Sequence, residues 1–260
     1  MQYVSGGGNG GNKIWVYTFA WNEERMLPFF FDHYLGWLGA DVIVVFDNES
    51  TDNTAKLCDA LYPKVLRVPY ATDNTHSELN AMVGIRNSLC DLTRGCADFV
   101  VIVDCDEFVY HNDMSRFLQS IKESNTSICR AQGYDMVSTE FPKEGEHLPN
   151  VVRTGIATPT YSKPCIFMPD RVDTLLFTPG AHHVTTVGMP EFKLRQFAGL
   201  RLLHYPRLGW DFYLDRMMSR RTRVNQRDAV HGLNNHYTRD VAQMREEFDH
   251  VLINAVDCVT

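Results

Sequence analysis

The sequence contains no long hydrophobic run. None of its apolar stretches approaches the roughly 20 residues that a bilayer-spanning helix requires. The N-terminus has no basic segment leading into an apolar one, so no secretory signal is readable. Positive charge is not in excess either: 25 Lys and Arg against 32 Asp and Glu leave a formal net charge of -7, the wrong sign for a nucleic-acid-binding face. The cysteines, at Cys58, Cys90, Cys96, Cys105, Cys129, Cys165 and Cys258, are odd in number. They show neither paired zinc-ligand spacing nor a short disulfide framework, and they read as reduced, core-filling thiols. A glycine-rich dinucleotide loop is missing where one would be needed. Gly6, Gly8 and Gly11 have G-x-G-x-x-G spacing, but no strand precedes them and a strand, not a helix, follows. Residues 1–12 therefore read as a flexible leader. These absences lead to the expectation of a cytoplasmic protein, at most peripheral to a membrane, with no nucleic-acid partner and no transmembrane segment, or else of one domain of a larger chain.

What is present suits a globular fold. Hydrophobic residues make up 44% and charged residues 22% of 260 positions, enough for one large core. From Lys13 the pattern alternates strand and helix. Strands are predicted at Lys13–Phe19, Asp41–Phe46 (DVIVVF), Val65–Val68 and Phe99–Val103 (FVVIV). Helices are predicted from Asn22 to about Leu38, from Asp52 through Leu61 and over Ser77–Leu92. Unbroken β-branched runs separated by helices indicate a parallel sheet covered on both faces. Beyond Val109 a helix near Met114–Glu123 and a strand near Ser127–Gly133 precede a Pro- and Gly-rich segment of short antiparallel strands and loops to about Pro206. Helices near Trp210–Arg223 and Arg239–Ala255 close the chain.

Ligands of such sheets bind beyond the carboxyl ends of the strands. The residues there are Trp21-Asn22-Glu23, Asp47-Asn48-Glu49-Ser50 and Asp104-Cys105-Asp106. In VIVDCDEF a buried strand ends in Asp-x-Asp. Residues two apart on an extended chain point the same way, about 6.6–7 Å apart, so both carboxylates can serve one hard divalent cation. Such an ion would bridge a diphosphate and offset charge on a departing phosphate. The alternative is a solvated acidic pair at a strand end. Asp47 is placed to accept from a base N–H or a ribose hydroxyl, whereas Asp52 and Ser50 suit capping of the next helix. Glu23 suits either a helix N-terminus or the nucleotide.

These residues resemble the nucleotide-binding half of family 2 glycosyltransferases. The similar stretches are WVYTFAWNEERMLPFFFDHYLGWLGADVIVVFDNESTDNT, GIRNSL and VIVDCDEF, with the strand-end Asn-Glu, the Asp-rich turn, Arg86-Asn87 and the Asp-x-Asp in the family's order. The resemblance implies an α/β, GT-A (Rossmann-like nucleotide-diphospho-sugar transferase) fold with a mostly parallel central sheet and flanking helices. Residues 13–110 would form the nucleotide-binding half of a single domain over 13–260, and 111–260 the acceptor-binding half. It further implies an inverting transfer, Asp47 on the base, Mn2+ or Mg2+ on Asp104 and Asp106, and Arg86 near the ribose or diphosphate. The nucleotide-sugar site expected is Trp21, Asn22, Glu23, Asp47, Arg86, Asp104, Cys105, Asp106 and Lys163.

The second half is similar to a branch of these enzymes from polysaccharide and capsule gene clusters, through GYDM, YSKP, PGAHH, LLHYPRLG and NHY. No QxxRW motif follows Gln196, which argues against a processive synthase. An inverting transfer needs a base within reach of the acceptor hydroxyl. Asp135 is the leading candidate, ahead of Asp170, Asp173 and Glu191; its structural alternative is a loop cap. His182 and His204 are candidate additions to the metal shell, or plain structural hydrogen bonders. Lys163 with Arg216, Arg220, Arg221, Arg223 and Arg227 reads as a clamp on the diphosphate or an anionic acceptor. The same cluster is also consistent with a solvated basic face, or with attraction to anionic lipid under a lipid-linked acceptor.

The function expected is transfer of a sugar from a nucleotide-diphosphate donor, most commonly a UDP-sugar, to a glycan or other hydroxyl acceptor. A sugar-phosphate nucleotidyltransferase would want a glycine-rich loop with Arg or Lys directly after the first strand, where this chain has AWNEER. A non-catalytic nucleotide-sugar or glycan-binding module would have no use for both acids. With a sugar phosphate and a nucleoside triphosphate supplied together, no pyrophosphate should appear above a protein-free control; steady release would favour the nucleotidyltransferase.

Overall fold

The computed structural model describes residues 8–72, 78–187, 193–224 and 235–259. Four strands form the centre of the main sheet: β1 (Ile14–Ala20), β2 (Val42–Asp47), β3 (Val65–Pro69) and β4 (Phe99–Ile102), in the order β4-β1-β2-β3 and all parallel. Their residues alternate between two cores. Val16, Ile43, Val45, Phe99 and Val101 face one side; Tyr17, Val44, Phe46, Val100 and Ile102 face the other. Both faces are dry, which is why these strands read as unbroken apolar runs. Each such side chain contributes about 1.5–3 kcal/mol through burial.

The covering helices are α1 (Leu27–Phe31), continued as a wider π-type turn over Asp32–Trp37, α2 (Thr54–Asp59) and α3 (Glu78–Thr93). The expected start of the first helix at Asn22 is corrected. Asn22 is left-handed at φ 52, and its side-chain oxygen accepts from the backbone of Thr51 at 2.7 Å. It therefore ties two strand-end loops together instead of capping a helix. Asp52 does bind the first turn of α2, accepting from the Thr54 N–H at 2.9 Å. Gly8, Asn9 and Asn12, expected in a flexible leader, pack against the domain. The Gly8 N–H donates to Trp37 at 2.7 Å, Asn9 donates to Gly39 at 2.9 Å, and Asn12 is buried; residues 1–7, Gly6 among them, lie outside the described residues.

The second half extends the sheet. After β5 (Glu107–Tyr110) and α4 (Met114–Glu123) comes β6 (Ile128–Ser138), then α5 (Leu148–Val151), β7 (Thr154–Ala157) and β8 (Pro164–Phe167). β8 lies antiparallel between β4 and β6, and so joins the two halves edge to edge. β9 (Thr174–Phe177) and β10 (Val184–Val187) make a separate hairpin. β11 (Leu194–Leu208) pairs antiparallel with β5 and parallel with β6, with register shifts after Gln196 and after His204. α6 (Trp210–Arg221), α7 (Val241–Asn254) and the short β12 (Val256–Asp257) close the chain. β6 runs five residues past its expected end, so Asp135 lies inside a strand and not in a loop after one. Arg171 fixes the turn after α4 by donating to four backbone carbonyls, of Ile121, Lys122, Ser124 and Thr126.

Between the π turn and β5 sits a buried histidine pair. The His33 ring stacks on Trp37 with centroids 4.7 Å apart, and its Nδ1 lies 2.9 Å from His147 Nε2. Burial pushes both imidazoles below the ordinary 6.5, and His147 lowers His33 further. A lowered folded-state value means that protonation favours the unfolded chain. The pair's stability should be complete above about pH 6.5 and decline as the pH falls through the lowered values. Thermal melts between pH 7.5 and 5 should show this loss, with a shallower decline in His147→Gln; an identical decline would remove the pair as its source.

Candidate functional site

The carboxyl ends of β1 and β4, the start of β5, the C-terminal part of β11 and one face of α6 converge on a cavity of about 620 Å³. Asp104 and Asp106 flank a tight turn between β4 and β5, closed by the Glu107 N–H to Asp104 at 2.9 Å and the Asp104 N–H to Glu107 Oε2 at 3.0 Å. Both acids line the cavity. The middle residue does other work: Cys105 turns its thiol inward, donating to Phe19 O at 3.3 Å. Its burial pushes the thiol pKa well up, which leaves it an inert packing group.

Strand pairing aligns the next layer. In one row across the sheet, Glu107 of β5 stands beside His204 of β11, which stands beside Asp135 of β6. Gly133 lets the chain of Tyr161 and Ser162 pass directly over β6, where a Cβ would lie only 2.2 Å from the Tyr161 carbonyl carbon. That passage brings Lys163 to the acids, with Nζ 2.5 Å from Glu107 Oε1 and 3.4 Å from Asp104 Oδ2. Arg86, from α3, reaches Asp104 Oδ1 at 2.9 Å. α6 supplies Arg216, whose two terminal nitrogens bridge Glu23 at 2.5 Å and Asp106 at 2.8 Å, and Arg220, which holds the other Glu23 oxygen at 2.7 Å.

These pairs set the charge states. Burial alone would raise the pKa of Asp104, but Lys163 and Arg86 outweigh it and leave the group below the ordinary carboxylate range. Asp106 is likewise held well below that range by Arg216 and His204, against the cost of its burial. Glu107 moves the other way, raised by burial and by the charge of Asp104 despite Lys163. Asp135 is also raised, by burial, although it pairs with Arg207.

The expected site residues separate into two groups. Trp21, Glu23, Arg86, Asp104, Cys105, Asp106, Lys163, His182 and His204 line the cavity together. Asn22, Asp47 and Asp135 do not. Asn22 is occupied with Thr51, and Asp47 accepts from the Ser50 N–H at 3.0 Å and from Arg67 at 3.4 Å. Asp135 stands one strand behind the wall. Its Oδ1 is buried without a hydrogen-bond partner, 4.0 Å from an equally unpartnered His204 Nδ1. Of the other base candidates, Asp170 accepts from the Gly95 N–H at 2.8 Å and Asp173 is exposed, both away from the cavity; Glu191 lies outside the described residues, as does Arg227. Among the described residues no three His, Cys, Asp or Glu side chains come close enough to hold a metal ion alone. The four-residue shell of Asp104, Asp106, His182 and His204 is thus not preassembled: His182 is fixed by Arg130, which donates to its carbonyl at 3.1 and 2.9 Å, and His204 Nε2 faces Asp106 at 3.5 Å.

Sequence reasoning missed Glu107 and Arg207. The run D-x-D-E carried a signal for the first, since the third residue past Asp104 closes its turn. Nothing local marked Arg207. Tyr70, Phe19 and Met82 give the α3 side of the cavity an apolar, aromatic lining, and the Arg223 guanidinium stacks on Trp21 at 4.4 Å.

A sequence profile of the family described as glycosyl transferase family 2 matches residues 15–178, more than half of the chain. The chain belongs to that family. The match takes in β1 through β9 and with them Glu23, Arg86, Asp104, Asp106, Asp135 and Lys163; β11 and α6, which complete the cavity, lie beyond it. Comparison with curated protein sequences gives no match. Among solved structures, S. aureus TarS is similar at 14% identity over 82% of this chain and 40% of its own, with a TM-score of 0.46. GalNAc-T7, solved with UDP, GalNAc and Mn2+, is similar at 13% identity over 78% of this chain and 47% of its own, TM-score 0.45. Glucosyl-3-phosphoglycerate synthase from Mycobacterium tuberculosis, solved with Mn2+, UDP and glucosyl-3-phosphoglycerate, is similar at 20% identity over 48% and 44%, TM-score 0.29. The chain therefore spans less than half the length of each of the three. Among the described residues no helix is long and apolar enough to cross a membrane.

Glu23 joins the end of β1 to α6, and its side chain is 3% exposed. Its removal would leave Arg216 with Asp106 alone and Arg220 with only the Tyr237 hydroxyl, a loss of charge pairing that costs up to about 3–5 kcal/mol in buried sites. Glu23→Ala should lower the melting temperature by several degrees in calorimetry; an unchanged melt would show that α6 is held by its apolar contacts alone.

Proposed function

We propose that this chain transfers a sugar from a nucleoside-diphosphate donor, UDP-linked in the first instance, to a hydroxyl of a glycan or lipid-linked acceptor, with inversion. The observation that carries the reading is the charge balance of the cavity. Seven cations line it among the described residues: Arg86, Lys163, Arg207, Arg216, Arg220, Arg223 and Arg239. Seven carboxylates answer them: Glu23, Glu78, Asp104, Asp106 and Glu107 in the wall, with Asp135 and Glu247 paired to Arg207 and Arg239. Among the described residues each of these cations is already paired, which supports a cation that accompanies the diphosphate.

The acids suit that cation. Asp104 and Asp106 are ionised hard-oxygen donors, and 35% of the Asp104 side chain is open to the cavity. With two protein carboxylates, the remaining ligands would be phosphate oxygens and water, the usual habit of Mg2+ and, with similar ligands, Mn2+. When bound, the ion supplies Lewis-acid stabilisation of the departing diphosphate. The protein's own groups do the rest. Arg86, whose Nε and Nη1 are buried without partners, has N–H groups left for phosphate oxygens. The apolar end at Phe19, Tyr70 and Met82 suits the base and ribose. On the acceptor side, His204 lines the cavity and faces Asp135 behind it at 4.0 Å, so Asp135, with its raised pKa, would receive the acceptor's proton by way of that imidazole. The acceptor oxygen then attacks the anomeric carbon as the bond to the diphosphate breaks.

Asp104→Asn and Asp106→Asn should abolish the Mn2+-dependent part of the thermal shift given by a UDP-sugar and lower transfer or donor hydrolysis by at least about 100-fold. Wild-type binding and turnover in both variants would end the metal assignment. Asp135→Asn should keep the donor-induced shift and lose transfer; full transfer would move the base elsewhere. A shift with donor but no release of nucleotide by the wild-type chain would favour a non-catalytic binding module.

A further inference from the structure

Arg216 is held differently from the other cations in the cavity. It comes from α6 and spans two acids from separate strand ends, Glu23 after β1 and Asp106 after β4. Its hold on Glu23 is duplicated, because Arg220 occupies the other Glu23 oxygen at 2.7 Å. Its hold on Asp106 falls on a carboxylate assigned above to a metal ion. Its Nε is buried with no partner. Lys163 offers a contrast. Release of Lys163 would leave Glu107, 2% exposed, with a buried charge and no cation, a costly state. Release of Arg216 would leave Glu23 with Arg220, and Asp106 with the incoming ion.

We infer that Arg216 is an exchangeable counter-ion: it neutralises Asp106 while the site holds no metal, and it passes to the donor's diphosphate when a divalent cation takes the carboxylate. The inference rests on the donor-site reading given under Proposed function. It follows from the balance of charge. The metal alone would have to displace an arginine from Asp106 and leave that guanidinium with Glu23 only, an acid it already shares with Arg220. The nucleotide alone would have to enter a cavity whose cations, among the described residues, are each already paired with an acid. Entering together, each supplies the partner that the other displaces. The two ligands are therefore coupled through one side chain, and the coupling is reciprocal.

Calorimetric titrations of the full chain with Mn2+ alone, with UDP in chelator, and with each in the presence of the other measure this directly. In the wild type each ligand should tighten the other by about tenfold or more. Arg216→Gln should bind Mn2+ alone about tenfold more tightly than the wild type, having lost the competitor, and bind UDP less tightly at saturating Mn2+. A purely structural arginine would weaken both. Unchanged or weaker Mn2+ binding in a folded Arg216→Gln overturns the inference, as does independent binding of the two ligands to the wild type. If Arg216→Gln does not fold, Arg220→Gln serves in its place. It leaves Glu23 paired with Arg216 and should bind Mn2+ less tightly than the wild type, because Arg216 is then the sole cation on Glu23 and less easily released; equal or tighter Mn2+ binding there overturns the exchange. Absence of any binding by the wild type, singly or together, would instead remove the donor-site reading on which the inference stands.

Discussion

The molecule depends on the neutralisation of buried acids at the mouths of its parallel strands. Glu23, Asp106 and Glu107 are all but closed to solvent. A buried carboxylate without a partner would cost several kcal/mol, so the chain must bring a cation to each. The cations arrive from remote places: Arg86 from α3, Lys163 from the segment crossing β6, and Arg216 and Arg220 from α6. The order of β5, β6, β8 and β11 in the second half makes physical sense in this light. β8 and β11 place Lys163 and the start of α6 over the acids, and the apolar contacts of α6 with α7 and β6 (Tyr213, Met217, Phe248 and Val137) hold the arginines there.

Much of the first half was legible in the sequence because its signals are local. A strand buried on both faces writes itself as an unbroken run, and VIVVF and FVVI did so. The second half was less so. β11 has 15 residues but spans exposed and buried surroundings, QFAGLRLLHYPRL, and its pairing with β5 and β6 joins residues about 70 to 100 positions apart. The first helix was placed too early because Asn22 has the chemistry of an N-cap. Its left-handed backbone, the other common use of Asn, won instead.

The site divides along the same line. Asp104 and Asp106 could be read from eight consecutive residues as acids past a strand end, but a tight turn between β4 and β5, and not the alternation of an extended chain, turns them to the cavity. Which cation meets which acid could not be read, because Glu23 and Arg216 are 193 residues apart. Asp135 was expected just past the end of a strand, but β6 continues past it, so it reaches the cavity only through its neighbour on β11.

The irregularity in β11 after His204 carries a consequence for phase. Along an uninterrupted strand, residues three apart point to opposite faces, so His204 and Arg207 would diverge. The shifted register, at Pro206, which has no N–H to give to a ladder, reverses the alternation and turns both side chains toward the same space. A single extra residue of contour thus gives one strand two neighbouring polar groups on one side, and it delivers the chain to Gly209, at φ 80, in the direction from which α6 departs. The position of every arginine on that helix is, in this sense, set by one step of backbone out of phase.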